Sequence, residues 1–348
     1  MERHGHSVLG VDTHKHNHVA VLLNGLGRHL GELQVPATTA GTSELLAWCD
    51  GLGGATVAGV EGTGSYGYPL TRALQRAGLQ VLEVNRPDRA NRRRRGKSDP
   101  VDAEAAARAV LSGQATATPK DREEAVEALR ALTIARNSAV KATTSASNQM
   151  KALLVGADDD LREQMRTPRL LRLADRCAGL APTTGLHIAL ASLGRRWLTL
   201  HHEALQLAAL ITDLVETTAP ALMARPGIGA HSAAQLLITA GANPDRLRSD
   251  AAFAALCGVS PVQASSGQRH RNRLSRGGDR NANHALWTIA NNRMIHDPRT
   301  REFAARRREA GDSRKDTLRV LKRYIARETF TLIRDALTHP AAHDPAAA

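Results

Sequence analysis

The sequence predicts an α/β domain at the N-terminus, followed by a mainly α-helical region that makes up the rest of the chain. Over residues 1–120, short apolar runs typical of buried strands alternate with segments of helical periodicity. After Lys120 glycine becomes scarce, and Leu, Ala, Arg and Glu dominate. The chain has 348 residues, which is enough for two or three domains with cores of their own.

The predicted α/β domain begins with three strands joined by hairpin-type turns, one of them marked by Asn24-Gly25. In order, we predict strands over 7–12, 18–23 and 31–35, a helix over 42–49, a strand over 55–61, a helix over 68–77, a strand over 79–84 and a helix over 103–111. Three hairpin-linked strands followed by alternating helices and strands match the element order of an RNase H-like fold.

The remainder of the chain is predicted to form two further regions. Helices are expected over 125–154, 161–174, 205–215, 232–240, 281–294 and 317–337. The first three form a helical, coiled-coil-like connector over 121–222, which either carries dimerisation or is a helical subdomain without a partner. Residues 223–338 form a mainly α domain, and the Ala- and Pro-rich residues 339–348 form a disordered tail.

The charge of the chain predicts a polyanionic partner. The formal net charge is +13 and the sequence pI is about 10.5, a balance for which nucleic acid is the usual partner. A basic membrane-surface protein is the alternative, but no segment has the apolar length of a membrane span or a signal peptide. Aromatic residues make up only 3% of the chain, so we expect affinity to come chiefly from Arg and Lys on phosphates.

The cysteines point to a reducing compartment. Cys49, Cys177 and Cys257 are scattered singly. Their spacing fits neither a disulfide framework nor a zinc site, and it suits a reducing cytosol.

Two carboxylates spaced D-x-x-D, Asp99 and Asp102, follow a run of cations directly. Because this spacing places both on one helical face, they repel each other unless a helix N-terminus, a cation or a metal offsets their charge. The simpler interpretation is a helix N-cap formed by Ser98 or Asp99. The cations of the run are Arg92, Arg93, Arg94, Arg95 and Lys97.

Two further acids, Asp12 and Glu61, each end an apolar strand. One such acid is most simply an exposed strand end, but two of them together with D-x-x-D indicate a shared site. Carboxylate oxygens are the ligands that Mg²⁺ prefers. Two ions about 4 Å apart would clamp a scissile phosphate between attacking and leaving oxygens.

Two motifs stand out in the C-terminal region. Residues 226–229, Pro-Gly-Ile-Gly, precede a predicted helix and resemble a helix-hairpin-helix turn that binds a DNA phosphate, although an ordinary inter-helix turn explains them equally well. Residues 257–268 form a polar loop in which Ser265 or Ser266 is either an unreactive serine or a phosphate nucleophile. Cations follow this loop closely, among them Arg269, Arg271, Arg273 and Arg276.

With these motifs placed, the chain resembles transposases of the IS110 family, the DEDD group guided by a bridge RNA. The N-terminal half carries G-V-D-T-H-K, G-V-E-G-T-G-S-Y and K-S-D-P-V-D-A. The C-terminal half carries R-P-G-I-G, C-G-V-S-P, A-S-S-G and L-S-R-G-G-D-R. Because several motifs occur in the family's order, the resemblance covers nearly the whole chain.

The resemblance implies a RuvC-like, RNase H-fold domain and a transposase domain that act on DNA at one composite site. It implies a D-E-D-D site for one or two Mg²⁺ ions on Asp12, Glu61, Asp99 and Asp102, and a serine nucleophile, Ser266, that becomes covalently attached to DNA. It further implies double-stranded DNA and a structured guide RNA as partners, a homodimer or homotetramer, and a nucleoid-associated protein of the bacterial cytoplasm.

The chain departs from the family pattern beside the serine pair, where many relatives have Gly-Gly-Lys and this chain has Gly267-Gln268-Arg269. Two other functions remain open at this point. One is a RuvC-type, metal-dependent, structure-specific nuclease whose acids activate water. The other is a non-catalytic DNA- or RNA-binding protein.

Overall fold

A computed structural model describes residues 7–84, 98–121, 124–263, 272–274 and 277–338. The chain divides into two compact units, Met1–Asp121 and Arg122–Ala348. Each unit has apolar clusters of its own.

The first unit is built on a five-stranded mixed sheet. Its strands are β1 (Val8–Thr13), β2 (Asn17–Leu23), β3 (His29–Pro36), β4 (Val57–Glu61) and β5 (Gln80–Val84). They lie in the order β3-β2-β1-β4-β5. Strands β1, β2 and β3 are joined as antiparallel hairpins, whereas β4 pairs parallel to both β1 and β5. The predicted α/β class of this region is confirmed.

Helices cover both faces of the sheet. Helices α1 (Thr39–Gly51) and α2 (Tyr68–Arg76) pack on one face, where Leu9 and Val11 of β1 share their apolar cluster. Helix α3 (Asp99–Leu111) packs on the other face, in a cluster that contains Val8. Because side chains alternate along a strand, Gly10 and Asp12 face α3 together with Val8.

Two glycines let α3 approach the sheet closely. A Cβ on Gly10 would lie 2.1 Å from the carbonyl oxygen of Ala103, and one on Gly59 would lie 2.7 Å from that of Ala106. These neighbours are backbone atoms, which cannot move aside as the end of a flexible side chain can. The absence of a side chain at both positions therefore fixes how near the N-terminal turn of α3 comes to the end of β1.

Replacing Gly10 with Ala is expected to destabilise the first unit, because the new methyl group forces α3 away from the sheet. Overpacking of this kind typically costs about 1–3 kcal/mol. Urea unfolding of the full chain measures the loss. Gly51→Ala is the matched control, since a Cβ there meets no atom within 4 Å and alanine suits a helix better than glycine. Equal stability of the two variants would contradict this account of the packing.

The second unit is mainly α-helical, as predicted. Its helices are α4 (Glu124–Val155), α5 (Asp159–Met165), α6 (Leu170–Ala178), α7 (Gly185–Thr218), α8 (Pro220–Met223), α9 (Ala230–Ala240), α10 (Asp250–Leu256), α11 (Arg280–His296), α12 (Pro298–Glu309) and α13 (Arg314–Thr338). A 3-10 turn over Pro244–Arg246 and a short antiparallel pair, β6 (Pro261–Gln263) and β7 (Asn272–Leu274), complete it.

Two predicted helices have different bounds in the structure. The helix predicted over 161–174 is two helices, α5 and α6, because Pro168 lies between them and the residue before a proline disfavours helical backbone. The helix predicted over 205–215 is the last part of α7, which has 34 residues and starts at Gly185 with Thr184 as its side-chain cap.

The long helices α4 and α7 pack along each other and end in different apolar clusters. Met150 of α4 and Trp197 of α7 belong to a cluster with α5 and α6. At the other end of the pair, Leu129 and Val215 join the cluster formed by α9 to α13. The separation of this unit into a connector and a transposase domain at residue 223 stays a prediction. Across the described ranges, every helix is too short or too polar to cross a bilayer.

Candidate metal centre

Asp12 lies at the end of β1 with its side chain turned toward α3. Asp12 is only 6% exposed, and it directly follows the apolar residues of a buried strand. Asp12 pairs with Val19 of β2. A carboxylate in this position is anchored by the sheet backbone and largely removed from water.

The first turn of α3 brings two more acids to this place. Asp99 opens the helix and Asp102 lies one turn in, as the spacing predicts. Asp102 is 4% exposed, whereas the Asp99 side chain is 49% exposed. Ser98 occupies the N-cap position but makes no side-chain capping hydrogen bond. The N-cap interpretation thus accounts for the position of Ser98 and leaves the burial of Asp102 unexplained.

His14 joins two of these acids. Its Nε2 lies 3.1 Å from Oδ2 of Asp12 and 3.4 Å from Oδ1 of Asp99. Among the described residues, Asp12, His14 and Asp99 form the group whose ligand atoms all lie within 4.8 Å of one another. Sequence reasoning missed His14. It lies one residue beyond the end of β1, where no periodic pattern marks it.

Glu61 ends β4 beside Asp12. The parallel register pairs Val11 with Val60, so the next position along each strand is Asp12 on β1 and Glu61 on β4. Thr13 ties the two strand ends together by donating a hydrogen bond from Oγ1 to the carbonyl oxygen of Glu61, at 2.7 Å. The structure therefore places Glu61 at the predicted edge, but its carboxylate does not belong to the group of three.

The acids concentrate negative charge at this end of the sheet. Burial raises the pKa of the Asp12 carboxyl above its ordinary value, and the nearby charges of Asp102 and Asp99 raise that pKa further. His14 opposes them and lowers the pKa of Asp12. A buried carboxylate surrounded by like charge needs a positive partner. In this structure the imidazole of His14 lies where such a partner would contact both Asp12 and Asp99.

The donor set suits a hard divalent cation. Oxygens of Asp12 and Asp99 lie close enough to share one ion, and the carboxylates of Glu61 and Asp102 come from elements that converge on the same edge. Mg²⁺ and Mn²⁺ favour carboxylate oxygens, whereas imidazole is more common around Zn²⁺ and other transition metals. Asp12, His14 and Asp99 thus form a group that could hold one divalent cation.

The side chains of the remaining predicted site residues lie outside the part of the chain that the structure describes. Arg92, Arg93, Arg94, Arg95 and Lys97 lie outside the described residues, as do Ser265, Ser266, Arg269, Arg271 and Arg276. Arg273 lies in β7, of which the structure describes only the backbone.

On both sides of residues 264–271, the segment that contains Ser265 and Ser266, residues of the second unit make part-buried polar contacts. Asn283 of α11 donates hydrogen bonds to the carbonyl oxygens of Cys257 and Gly258, at 3.1 and 2.9 Å. Lys322 of α13, which is buried, donates to Oδ1 of Asn283 at 2.9 Å. Burial lowers the pKa of Lys322. On the other flank, Asp279 accepts a hydrogen bond from Thr239 at 2.8 Å.

Comparisons with known proteins cover both units. A model of the DEDD transposases of IS110, described as a transposase, matches residues 9–157. A second model, described as the transposase IS116/IS110/IS902 family, matches residues 219–305. An uncharacterized 43.6 kDa protein of insertion element IS110 from Streptomyces coelicolor is 32% identical over 160 residues, which span 45% of this chain and 39% of that protein.

The chain belongs to the IS110 family of transposases. The two family matches together cover more than half of the chain. The first match includes all four predicted acids, and the second includes Ser265 and Ser266. The predicted membership in this family is thereby confirmed.

The Asp12→Asn variant of this chain is expected to be more stable than the original chain when no divalent cation is present. The folded state raises the pKa of Asp12, so the stability that Asp12 contributes is present at low pH. That stability is lost as the pH rises through the raised pKa. At pH 7 the buried Asp12 carboxylate therefore destabilises the folded state. The neutral amide of asparagine removes this destabilisation, and it also removes a metal ligand. Thermal unfolding at pH 7 in EDTA should show a melting temperature a few degrees higher, and adding Mg²⁺ should stabilise only the original chain.

Asp50→Asn, at an exposed position of α1, is the control for this experiment. It should change neither the melting temperature in EDTA nor the response to Mg²⁺. If Asp12→Asn responds to Mg²⁺ as strongly as the original chain does, Asp12 is not a ligand.

Proposed function

We propose that this chain cuts and rejoins DNA through a phosphoserine intermediate, in a reaction that needs Mg²⁺ and is guided by a structured RNA. The observation that carries the proposal is the convergence of Asp12, Asp99 and Asp102 at one end of the sheet. Membership in a transposase family supports DNA as the substrate.

The proposed fold of the first unit is RNase H-like. The sheet order β3-β2-β1-β4-β5, with one antiparallel hairpin pair on each side of β2 and parallel pairing beyond β1, supports this assignment. So does the location of the acids at the carboxyl ends of β1 and β4, because ligands of open α/β sheets bind outside the carboxyl ends of the strands.

In the proposed reaction, Asp12, Glu61, Asp99 and Asp102 hold one or two Mg²⁺ ions, with His14 beside them. When bound, the cation supplies charge neutralisation at the scissile phosphate. The carboxylates keep their positions because β1, β4 and α3 are fixed by the close packing at Gly10 and Gly59.

Ser266 is the proposed nucleophile, with Ser265 as the neighbouring alternative. Its Oγ attacks the phosphorus of the scissile phosphodiester, and one strand leaves with a free hydroxyl. The DNA is then joined to the protein as a phosphoserine ester. In the reverse sense, a strand hydroxyl attacks that ester and restores the serine. Because the ester conserves the phosphodiester bond, strand transfer requires no ATP.

The partners in this proposal are double-stranded DNA and a guide RNA, and the active species is a homodimer or homotetramer in the bacterial cytoplasm, associated with the nucleoid. The described cations support a nucleic-acid partner. Helix α12 alone carries Arg299, Arg301, Arg306, Arg307 and Arg308. The cations predicted from sequence are proposed to bind phosphates as well: Arg92, Arg93, Arg94, Arg95, Lys97, Arg269, Arg271, Arg273 and Arg276.

A denaturing separation after the reaction tests the proposal. The chain is incubated with Mg²⁺, radiolabelled DNA carrying the ends of its element, and the RNA transcribed from the flanking non-coding segment. We expect label to remain on the protein after boiling in detergent, and the label should be lost in EDTA. Cleaved DNA without any protein-bound label would instead indicate the RuvC-type nuclease.

A further inference from the structure

A second cleft lies on the opposite face of the first unit's sheet. It has a volume of about 650 Å³ and is formed by the first two turns of α1, by α2 and by the start of β2. On β2, Ala20 and Leu22 pack toward α1 and α2, whereas Val19 and Val21 pack toward α3. His18, which lines the cleft, shares the face of Ala20, so the His18 and Asp12 side chains point to opposite faces of the sheet.

Cationic, hydroxyl and aromatic side chains line the cleft. Hydroxyl groups come from residues 38–43 at the start of α1, and the guanidinium groups of Arg72 and Arg76 come from α2. Two of the three tyrosines of the chain, Tyr66 and Tyr68, also line it. No carboxylate belongs to the lining that the described residues provide.

His18 contributes a buried polar atom, Nδ1, to this cleft. The residue is 3% exposed, and its Nδ1 has no hydrogen-bond partner among the described residues. Burial lowers the pKa of His18, so the ring is neutral at pH 7. A buried polar atom without a partner is rare and costly. A ligand that forms a hydrogen bond with Nδ1 would offset that cost.

The net charge of the cleft is positive. Nη1 of Arg72 pairs with Oδ1 of Asp121 at 2.6 Å, which neutralises that guanidinium in part. Arg76 makes no ion pair within the described part of the chain. An anion is therefore the ligand that the lining favours.

We propose that this cleft binds a single unpaired nucleotide, with its phosphate near Arg76 and its base against Tyr66. The volume lies within the range of about 300–1,000 Å³ typical of small-ligand pockets. An exposed aromatic ring next to cations is the arrangement with which proteins bind unstacked bases. A base within a duplex offers only its edges, so the bound base is unpaired. The nucleotide is either free or part of a single strand.

Photocrosslinking tests this proposal without the metal-dependent reaction. The full chain is irradiated in EDTA with a 5′-phosphorylated thymidine tetranucleotide that carries one 4-thiothymidine. Trypsin then releases residues 29–72 as one peptide, because no Lys or Arg lies between Arg28 and Arg72. We expect the crosslink on Tyr66 or Tyr68 in this peptide. Because the assay contains no divalent cation, its failure would leave the proposed strand transfer untouched.

Two pairs of substitutions make the test specific. Tyr66→Ala combined with Arg76→Ala should lower the yield of this crosslink at least about fivefold, since loss of one base stack alone has an effect of that size. The control combines Tyr324→Ala with Arg172→Ala, which removes an exposed arginine of α6 and leaves peptide 29–72 intact. Tyr324 is exposed to the same extent as Tyr66, at 56% and 55%, and neither control residue lines the cleft.

Competitors distinguish the sources of the nucleotide. Adenosine monophosphate that abolishes the crosslink at millimolar concentration would assign the cleft to a free nucleotide, and competition by unlabelled tetranucleotide alone would assign it to a strand. The proposal is overturned if peptide 29–72 carries no crosslink, if both double variants lose it equally, or if inorganic phosphate competes as well as either nucleotide.

Discussion

The Asp102→Asn variant is expected to lose at least about 100-fold in Mg²⁺-dependent DNA strand cleavage, because loss of even an outer partner of a metal site costs about 10–100-fold. Asp102 is buried in the first turn of α3, and its charge raises the pKa of Asp12. The amide keeps the shape of the side chain but supplies neither the charge nor the second strong oxygen ligand. The rate of cleavage of labelled DNA, measured against Mg²⁺ concentration, gives the loss.

Measurements of nucleic-acid binding and of stability distinguish a loss of metal-dependent cleavage from misfolding. Asp102→Asn should bind nucleic acid as tightly as the original chain, and it should not be less stable in EDTA, because the substitution removes like-charge repulsion. Glu44→Gln, at an exposed position of α1, should cleave at the original rate. Cleavage by Asp102→Asn at that same rate would refute the assignment of this acid to the metal.

The Ser266→Ala variant is expected to form no covalent protein–DNA adduct, because the methyl side chain has no oxygen to attack the phosphate. The acids are unchanged by the substitution, so Mg²⁺ binding, seen as thermal stabilisation, should be retained. Nucleic-acid binding should also be nearly intact, since it depends on cations. The adduct is measured as radiolabelled DNA that migrates with the protein after denaturation.

Ser265→Ala and Ser260→Ala are the matched controls for this variant. Both should retain the adduct, because each keeps the Ser266 hydroxyl. An adduct that persists in Ser266→Ala and disappears in Ser265→Ala would move the nucleophile by one residue. Persistence in both, and in the variant that combines them, would exclude this serine pair as its source.

The α/β part of the fold was predictable because its signals are local. Buried strands of the first unit are nearly continuous apolar runs, such as residues 8–11 and 19–23, and Asn24-Gly25 marks a hairpin. Helix bounds in the second unit were harder to predict. Residues 185–204 carry two glycines, two adjacent arginines and two adjacent histidines, which interrupt the apolar pattern. In the structure this part of α7 packs against both α4 and α6.

The position of Asp12 and Asp102 could be predicted, but the full set of neighbours could not. Strand ends and helix starts follow from sequence, and parallel strands bring their carboxyl ends to one edge. The close approach of α3 depends on Gly10 and Gly59, whose role becomes visible only when the opposing carbonyl groups of Ala103 and Ala106 are in place. His14 lacked a signal of its own, because an exposed histidine after a strand is common.

Mass spectrometry of the trapped adduct tests most directly whether the acids and the serine act on one phosphodiester. After the reaction, nuclease removes the DNA and trypsin releases residues 249–269 as one peptide, which contains Ser249, Ser260, Ser265 and Ser266. We predict a nucleotide ester on Ser266 in the original chain with Mg²⁺, and none in Asp102→Asn. An unmodified peptide in a sample whose DNA has been cut, or an equal ester in Asp102→Asn, would contradict the account.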